Sequence, residues 1–293
     1  MAVDLTDIRV MVNGMPGPMA VAAGEACLRK GLKLAPVAMT GPEIEPCTIQ
    51  VKDSVTGESC DVRLIPADKT DEIEAAVEGL KEACGANNLL AIDFTHPSAV
   101  NSNALFYAKQ GIPFVMGTTG GDREKLIKDM ESAKHFCVVA PNMAKQIVAM
   151  QAALEDLAKK YPSSFSGYKL KVTESHQKTK ADTSGTAKAV IASLKKLSDD
   201  DFEEADITML RDDESSMKFG VPKDALKGHA FHTYTLTSSD GSVQFELKHN
   251  VAGRTVYAEG TADAVAFLAR KLRTEKEGKV FTMINVLEEG ALE

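Results

Sequence analysis

The sequence predicts an α/β protein in two parts. The first is a doubly wound parallel sheet, and the second is α+β with a mixed or antiparallel open sheet. Three observations predict this. Apolar strands and amphipathic helices alternate from residue 8 to residue 142. Beyond residue 143 the period becomes two, with a hairpin signature around Asp240-Gly241. At 293 residues the chain is long for one domain and sufficient for two.

In chain order, "IRVMVNG" (8–14) is a short β-branched run ending in glycine, and "PGPMAVAAGEACLRKG" is a small-residue helix closed by Gly31. "LKLAPVAMTG" reads as a second strand. "EPCTIQVKDSVTGESCDVRLIP" holds two alternating stretches around Thr56-Gly57, a hairpin insertion. "TDEIEAAVEGLKEACG" has helical spacing, with Thr70 as the expected N-cap and Gly85 beyond its end. "NLLAIDFT", "PSAVNSNALFYAKQG", "IPFVMGTTG", "DREKLIKDMESAK" and "FCVVAPNM" then alternate strand and helix. In the second half "AKQIVAMQAALEDLAKKY" is a long helix and "YKLKVTESHQ" alternates. "GHAFHTYTLTSSDGSVQFELKHNVAGRTVYAEG" reads as two strands around a turn, and "TADAVAFLARKL" and "VFTMINVL" close the chain.

Composition bounds the function. An apolar fraction of 44% and a charged fraction of 26% are those of an ordinary globular protein. A net charge of −8 argues against nucleic-acid or anionic-membrane partners. No apolar run reaches the ~18 residues of a membrane span, and no signal or transit segment is visible. The expected compartment is the cytoplasm or the plastid stroma. Cys27, Cys47, Cys60, Cys84 and Cys137 are scattered, which predicts reduced, mostly buried thiols rather than disulfides.

Gly14-Met15-Pro16-Gly17-Pro18-Met19-Ala20 is a G-x-x-G-x-x-A turn between the first strand and the first helix. Glycine permits close backbone approach, and a helix N-terminus offers N–H groups to a pyrophosphate. "DFTHP", "GTTG" and "APNM" each end a parallel strand, where ligands of open α/β sheets lie. Together they predict a Rossmann-like, nicotinamide-dinucleotide-binding first half. At the end of the second strand stands Thr40 in place of the usual acid, and the first acid is Glu43. A neutral residue leaves room for a 2′-phosphate, so NADPH is expected ahead of NADH.

The junction "ESHQKTKADTSGTA" (174–187) carries the second signal. Alternation places Leu170, Val172, Glu174 and His176 on one face, packed at one end and opening at the strand's end. Lys180 and Asp182 follow in the loop, and Ser184-Gly185-Thr186 opens the next helix. Singly these are a structural histidine, solvated lysines and a helix cap. Together they form a place for a small anion that must also receive a proton. His229 and His232 fall on opposite faces of their strand, and no cluster has metal-ligand spacing, so no metal is expected. His96 and His135 read as ordinary polar positions.

G-x-x-G-x-M, "DFT", "GTTG", "APN" and "E-x-H-x-x-x-K-x-D-x-SGTA", in this order, resemble the 4-hydroxy-tetrahydrodipicolinate (dihydrodipicolinate) reductase family over nearly the whole chain. "ESHQ" and "DTSGTA" resemble its plant-type branch. The resemblance implies NADPH- or NADH-dependent reduction of a cyclic dicarboxylate in lysine biosynthesis, by the diaminopimelate route. It implies Lys180 as proton donor, His176 as the group that stabilises developing charge, and Gln177, Ser184, Gly185 and Thr186 as substrate contacts. Gly14, Met15, Gly17, Pro18 and Met19 would lie along the pyrophosphate, with Thr40 nearby. Phe94, Thr95, Gly117, Thr119, Ala140, Asn142 and Met143 would surround the ribose and nicotinamide. The chain departs from the family pattern where His176-Gln177 replaces a His-His pair, where the proline before SGTA is missing, and where Ala20 and Pro18 replace a glycine and a basic residue. The implied domains are a dinucleotide-binding domain at 1–143 and a substrate-binding and oligomerisation domain at 144–258. Residues 259–293 form a helix and segment that return to the first domain. A homo-oligomer, dimer or tetramer, is expected, with hinges near 143 and the final helix. Another two-domain NAD(P) dehydrogenase and a non-catalytic NADPH sensor are the competing readings.

Overall fold

The computed structural model describes residues 5–290. The chain runs β1 (Arg9–Asn13), α1 (Pro18–Arg29), β2 (Lys33–Leu34), β3 (Val37–Thr40), β4 (Cys47–Lys52), β5 (Ser59–Pro66), α2 (Thr70–Cys84), β6 (Leu89–Asp93), α3 (Val100–Gln110), β7 (Phe114–Met116), α4 (Arg123–Ser132) and β8 (Cys137–Val139). It continues through α5 (Lys145–Lys160), β9 (Lys169–His176), α6 (Gly185–Ser198), β10 (Thr208–Leu210), α7 (Asp213–Lys218), β11 (His229–Thr237) and β12 (Gln244–Ala252). It ends in α8 (Thr255–Thr274), β13 (Val280–Phe281) and α9 (Met283–Glu288). Two compact units result. One contains residues up to Lys145 and from Thr255 onward; the other is Gln146–Arg254.

In the first unit six strands among the described residues order as β13-β8-β7-β6-β1-β2, every pair parallel. Parallel strands buried on both faces need apolar residues at consecutive positions, and Val10, Met11, Val12, Leu89, Leu90, Ala91 and Ile92 supply them. The expected second strand is in fact two. Pro36 lies between β2, which stays in the main sheet, and β3, which leaves it to pair with β5 in the sheet β3-β5-β4. The expected hairpin is β4–β5, its turn held by the Asp53 carboxylate, which accepts from the Thr56 N–H and hydroxyl. Helix α2 starts with Thr70 already inside its first turn and Lys69 in the capping position. Asp71 and Glu72 supply the negative charge that favours a helix start.

In the second unit the sheet is mixed, with order β10-β9-β11-β12 and only β10–β9 parallel. Strand β10 and helix α7 carry too few residues to show a period, and the sequence pattern does not reveal them. Helix α6 presents Ala187, Val190, Ile191, Leu194 and Leu197 to Leu170, Val172, Tyr234 and Leu236 on one sheet face. The second hairpin strand ends earlier than the pattern suggests. Gly253 turns at φ +79°, and Thr255 starts α8, so "TVYAEG" is helical. The five cysteines are unpaired, but only Cys27 and Cys137 are buried; Cys47 is exposed and the other two are half-buried. Burial pushes the Cys137 thiol up to about 12. Among the described residues no helix is long and apolar enough to cross a membrane.

The α6 seam is expected to dominate the second unit's stability. Leu194→Ala, at a side chain 5% exposed, should cost about 2–5 kcal/mol in urea unfolding. Leu157→Ala on α5, 39% exposed, should stay within about 0.5 kcal/mol. Equal losses would mean that α6 does not carry this core.

Candidate functional site

The first unit has a cleft of about 780 Å³ at the C-terminal ends of β1, β3 and β6. Gly14, Met15, Gly17, Thr40, Phe94 and Thr95 line it together with Glu43 and His96. Gly14 sits at φ +98°, and any Cβ there would overlap the Phe94 carbonyl. The turn closes through Gly17 N–H to Gly14 O (2.9 Å), and the Thr40 hydroxyl donates to Met15 O (2.6 Å). Pro18 and Met19 form the first turn of α1, which no side chain caps. Thr119 and Ala140 line a second cavity of about 230 Å³. Gly117 lies where a Cβ would meet the Phe94 ring. The Asn142 amide oxygen accepts from Ala144 N–H (2.8 Å), and Met143 is buried.

Beneath the cleft the fully buried Asp93 fixes the strand ends. Its carboxyl accepts from Thr95 N–H (3.1 Å) and hydroxyl (2.8 Å), Thr118 hydroxyl (2.6 Å), Asn103 amide (2.9 Å) and Tyr107 hydroxyl (2.7 Å). Tyr107 in turn accepts from Asn13 (2.9 Å), whose carbonyl takes the Met39 N–H (2.8 Å). One acid thus ties β1, β3, β6 and the loop after β7 together. An acid closing the apolar run "NLLAID" was the available signal for it.

In the second unit β9 ends in Glu174, Ser175 and His176, all buried. Register pairs Glu174 with His232 of β11, so Glu174, His176 and His232 share a face. The Glu174 carboxylate takes a charge-assisted bond from the Arg211 guanidinium and accepts the Ser184 N–H (3.2 Å), with His232 Nε2 3.6 Å away. Burial opposes its charge, but His232, Arg211 and the Ser184 N–H outweigh that and hold the carboxyl below its usual range. Arg211 also donates to Lys180 O (2.8 Å) and Asp182 O (3.3 Å), pinning the loop that follows β9. The His176 and His232 Nε2 atoms are 3.2 Å apart. Burial first, then the neighbouring His232, drives His176 down from its ordinary value, so it is neutral at neutral pH. The Lys180 amine, 22% exposed, donates to Asp182 (2.7 Å).

Ser184 occupies the N-cap position of α6 yet makes no capping side-chain bond, and the space at Gly185 is open. The simple cap reading of Ser184 therefore fails. Gln177 and Thr186 are partly buried beside these groups, and Lys178 is exposed. Arg211 was missed because it follows the unread strand β10. His232 was missed because its partners lie across a strand pair. His249 stacks on His232 at 4.6 Å, and burial pushes its imidazole down to about 4. Chemically, the arrangement offers a neutral imidazole, an ammonium and a helix N-terminus to a small anion.

Residues 8–143 match the family model "Dihydrodipicolinate reductase, N-terminus", and residues 146–287 match "Dihydrodipicolinate reductase, C-terminus". The chain is 43% identical to 4-hydroxy-tetrahydrodipicolinate reductase 1, chloroplastic, of Arabidopsis thaliana, over 97% of this chain and 78% of that protein. It is 41% identical to a probable 4-hydroxy-tetrahydrodipicolinate reductase 2, chloroplastic, of Oryza sativa subsp. japonica, over 97% of this chain and 84% of that one. In fold it is similar to a dipicolinate-bound dihydrodipicolinate reductase from Paenisporosarcina sp. TG-14. That match has a TM-score of 0.58 at 20% identity, covering 94% of this chain and 97% of the other.

Glu174→Gln keeps the shape of the site and removes its charge, leaving Arg211 without a carboxylate. The expected loss is about 2–3 kcal/mol in urea unfolding. That is less than the ~3–5 kcal/mol of a fully buried pair, since Arg211 keeps some water contact. A change under about 0.5 kcal/mol would show that the pair is not a structural anchor.

Proposed function

Because the chain belongs to the dihydrodipicolinate reductase family, we infer that it catalyses NAD(P)H-dependent reduction of 4-hydroxy-tetrahydrodipicolinate to tetrahydrodipicolinate in lysine biosynthesis. Its plant-type relatives set the branch. Family membership over both halves disfavours a different two-domain dehydrogenase or a sensor. The observation that carries the assignment of roles is the convergence of His176, Lys180 and the α6 N-terminus on one loop pinned by Glu174 and Arg211.

The residues present fit a dinucleotide. Gly14 admits no side chain, α1 has no side-chain cap, and the cleft is large enough for a nucleotide. Loss of the ring hydroxyl as water gives the conjugated ring, to which a bound cofactor would supply a hydride. Lys180 stabilises the charge that develops and donates the proton. His176, neutral and buried, orients and stabilises that charge by hydrogen bonding. Ser184, Gly185 and Thr186 hold a ring carboxylate at the head of α6, and Gln177 adds an amide contact. In the free protein Asp182 is the standing partner of Lys180, which a substrate carboxylate replaces. NADPH is read ahead of NADH because Thr40 is neutral with its hydroxyl committed to Met15. The Glu43 carboxylate, folded over Gly41 in the same cleft, tempers that preference. The relatives' chloroplast names favour the plastid stroma over the cytoplasm. A dimer or tetramer fits the open sheet, where Phe245 on the edge strand β12 is exposed.

The activity is tested by NADPH oxidation, followed by absorbance, with freshly made product of the preceding synthase; no oxidation with NADPH or NADH would contradict it. Lys180→Ala should lower kcat about 10²–10⁴-fold while cofactor affinity stays within about twofold; equal losses would place Lys180 outside the proton-transfer step. Glu43→Gln should lower the KM for NADPH about fivefold, the equivalent of ~1 kcal/mol between near like charges in water. The KM for NADH should be unchanged. A parallel shift in both would remove Glu43 from 2′-phosphate discrimination.

A further inference from the structure

We propose that Glu174, His176 and His232 form a binding site for a borderline transition-metal dication of the zinc class, a function distinct from the hydride chemistry although it draws on the same His176. The three side chains are all buried, and one ligand atom from each lies within 4.8 Å of the others. The measured edges are His176 Nε2 to His232 Nε2 at 3.2 Å and His232 Nε2 to Glu174 Oε2 at 3.6 Å. A tetrahedral zinc ion with ligands at about 2.0–2.1 Å separates those ligands by about 3.3 Å. The cluster therefore needs little movement to close on an ion.

Its origin is strand geometry. Glu174 and His176 are two apart on β9 and face the same way, and His232 stands opposite Glu174 on antiparallel β11. Such a placement joins residues 56 positions apart, which is why linear spacing does not show it. The carboxylate has outer contacts of the kind that orient metal ligands, from Arg211 on one oxygen and Ser184 N–H on the other. His232 Nδ1 is buried and has no partner among the described residues, so one imidazole lacks the usual outer contact. Two imidazoles to one carboxylate select zinc, cobalt, nickel or copper over magnesium and calcium, which favour oxygen ligands. An ion held here occupies His176 Nε2 and leaves its remaining coordination position to water or a carboxylate. On the reductase reading, zinc then blocks turnover.

The test uses the whole chain, stripped of metal and titrated with cobalt(II) chloride. The expected result is a four-coordinate cobalt absorption band saturating at one ion per chain, erased by zinc and untouched by magnesium. His176→Gln and His232→Gln should each lose the band while keeping the circular dichroism of the parent. X-ray absorption on the zinc-loaded parent, which needs no variant to fold, should count two imidazoles. No band in the parent, or a band kept in both variants, overturns the site. A metal-free protein that fails to oxidise NADPH would count against the reductase reading and leave this site standing.

Discussion

A carboxylate without water around it must be matched by protein donors, and the matching of Glu174 organises the second unit. An isolated charge in that position would cost several kcal/mol. Here a guanidinium, a helix N-terminal N–H and an imidazole face it from three different elements. Each donor is attached to something the site needs. Arg211 grips the carbonyls of Lys180 and Asp182, Ser184 begins α6, and His232 meets His176. The loop is therefore positioned by the requirement to neutralise one buried charge. Apart from Ala181 its own residues are polar, and none is a large apolar anchor.

The first unit uses the same device with neutral donors. Asp93 also ends a central strand, and two threonines, an asparagine and a tyrosine satisfy it. Because those donors come from just beyond β6 and β7 and from α3, the floor of the cleft is fixed without any basic residue. In both units a buried acid at a strand's C-terminal end turns an apolar sheet into a polar platform, where ligands of open α/β sheets are held.

Much of this was legible in the sequence. Apolar runs fix parallel strands because both sheet faces are buried, and the period-two stretch ending in Glu174 and His176 fixes which face is packed. Gly14 was legible as a turn because few residues tolerate its conformation. The misses share a cause. Pro36 divides the second strand between two sheets, β10 is three residues long, and the His176–His232 contact depends on which strands pair. Register and partner choice are decided by tertiary packing, which a local pattern does not carry. Gly253 was a local signal passed over: its positive φ ends β12 and lets α8 begin.

Amide hydrogen exchange of the Glu174→Gln protein, compared with the parent under native conditions, addresses the central constraint most directly. If the buried charge holds the loop, exchange should rise by about tenfold or more across residues 177–186, the Ser184 N–H included. The strands of the first unit should keep their parental protection. Unchanged protection over 177–186 would contradict the account, because the loop would then be held by something other than the carboxylate beneath it.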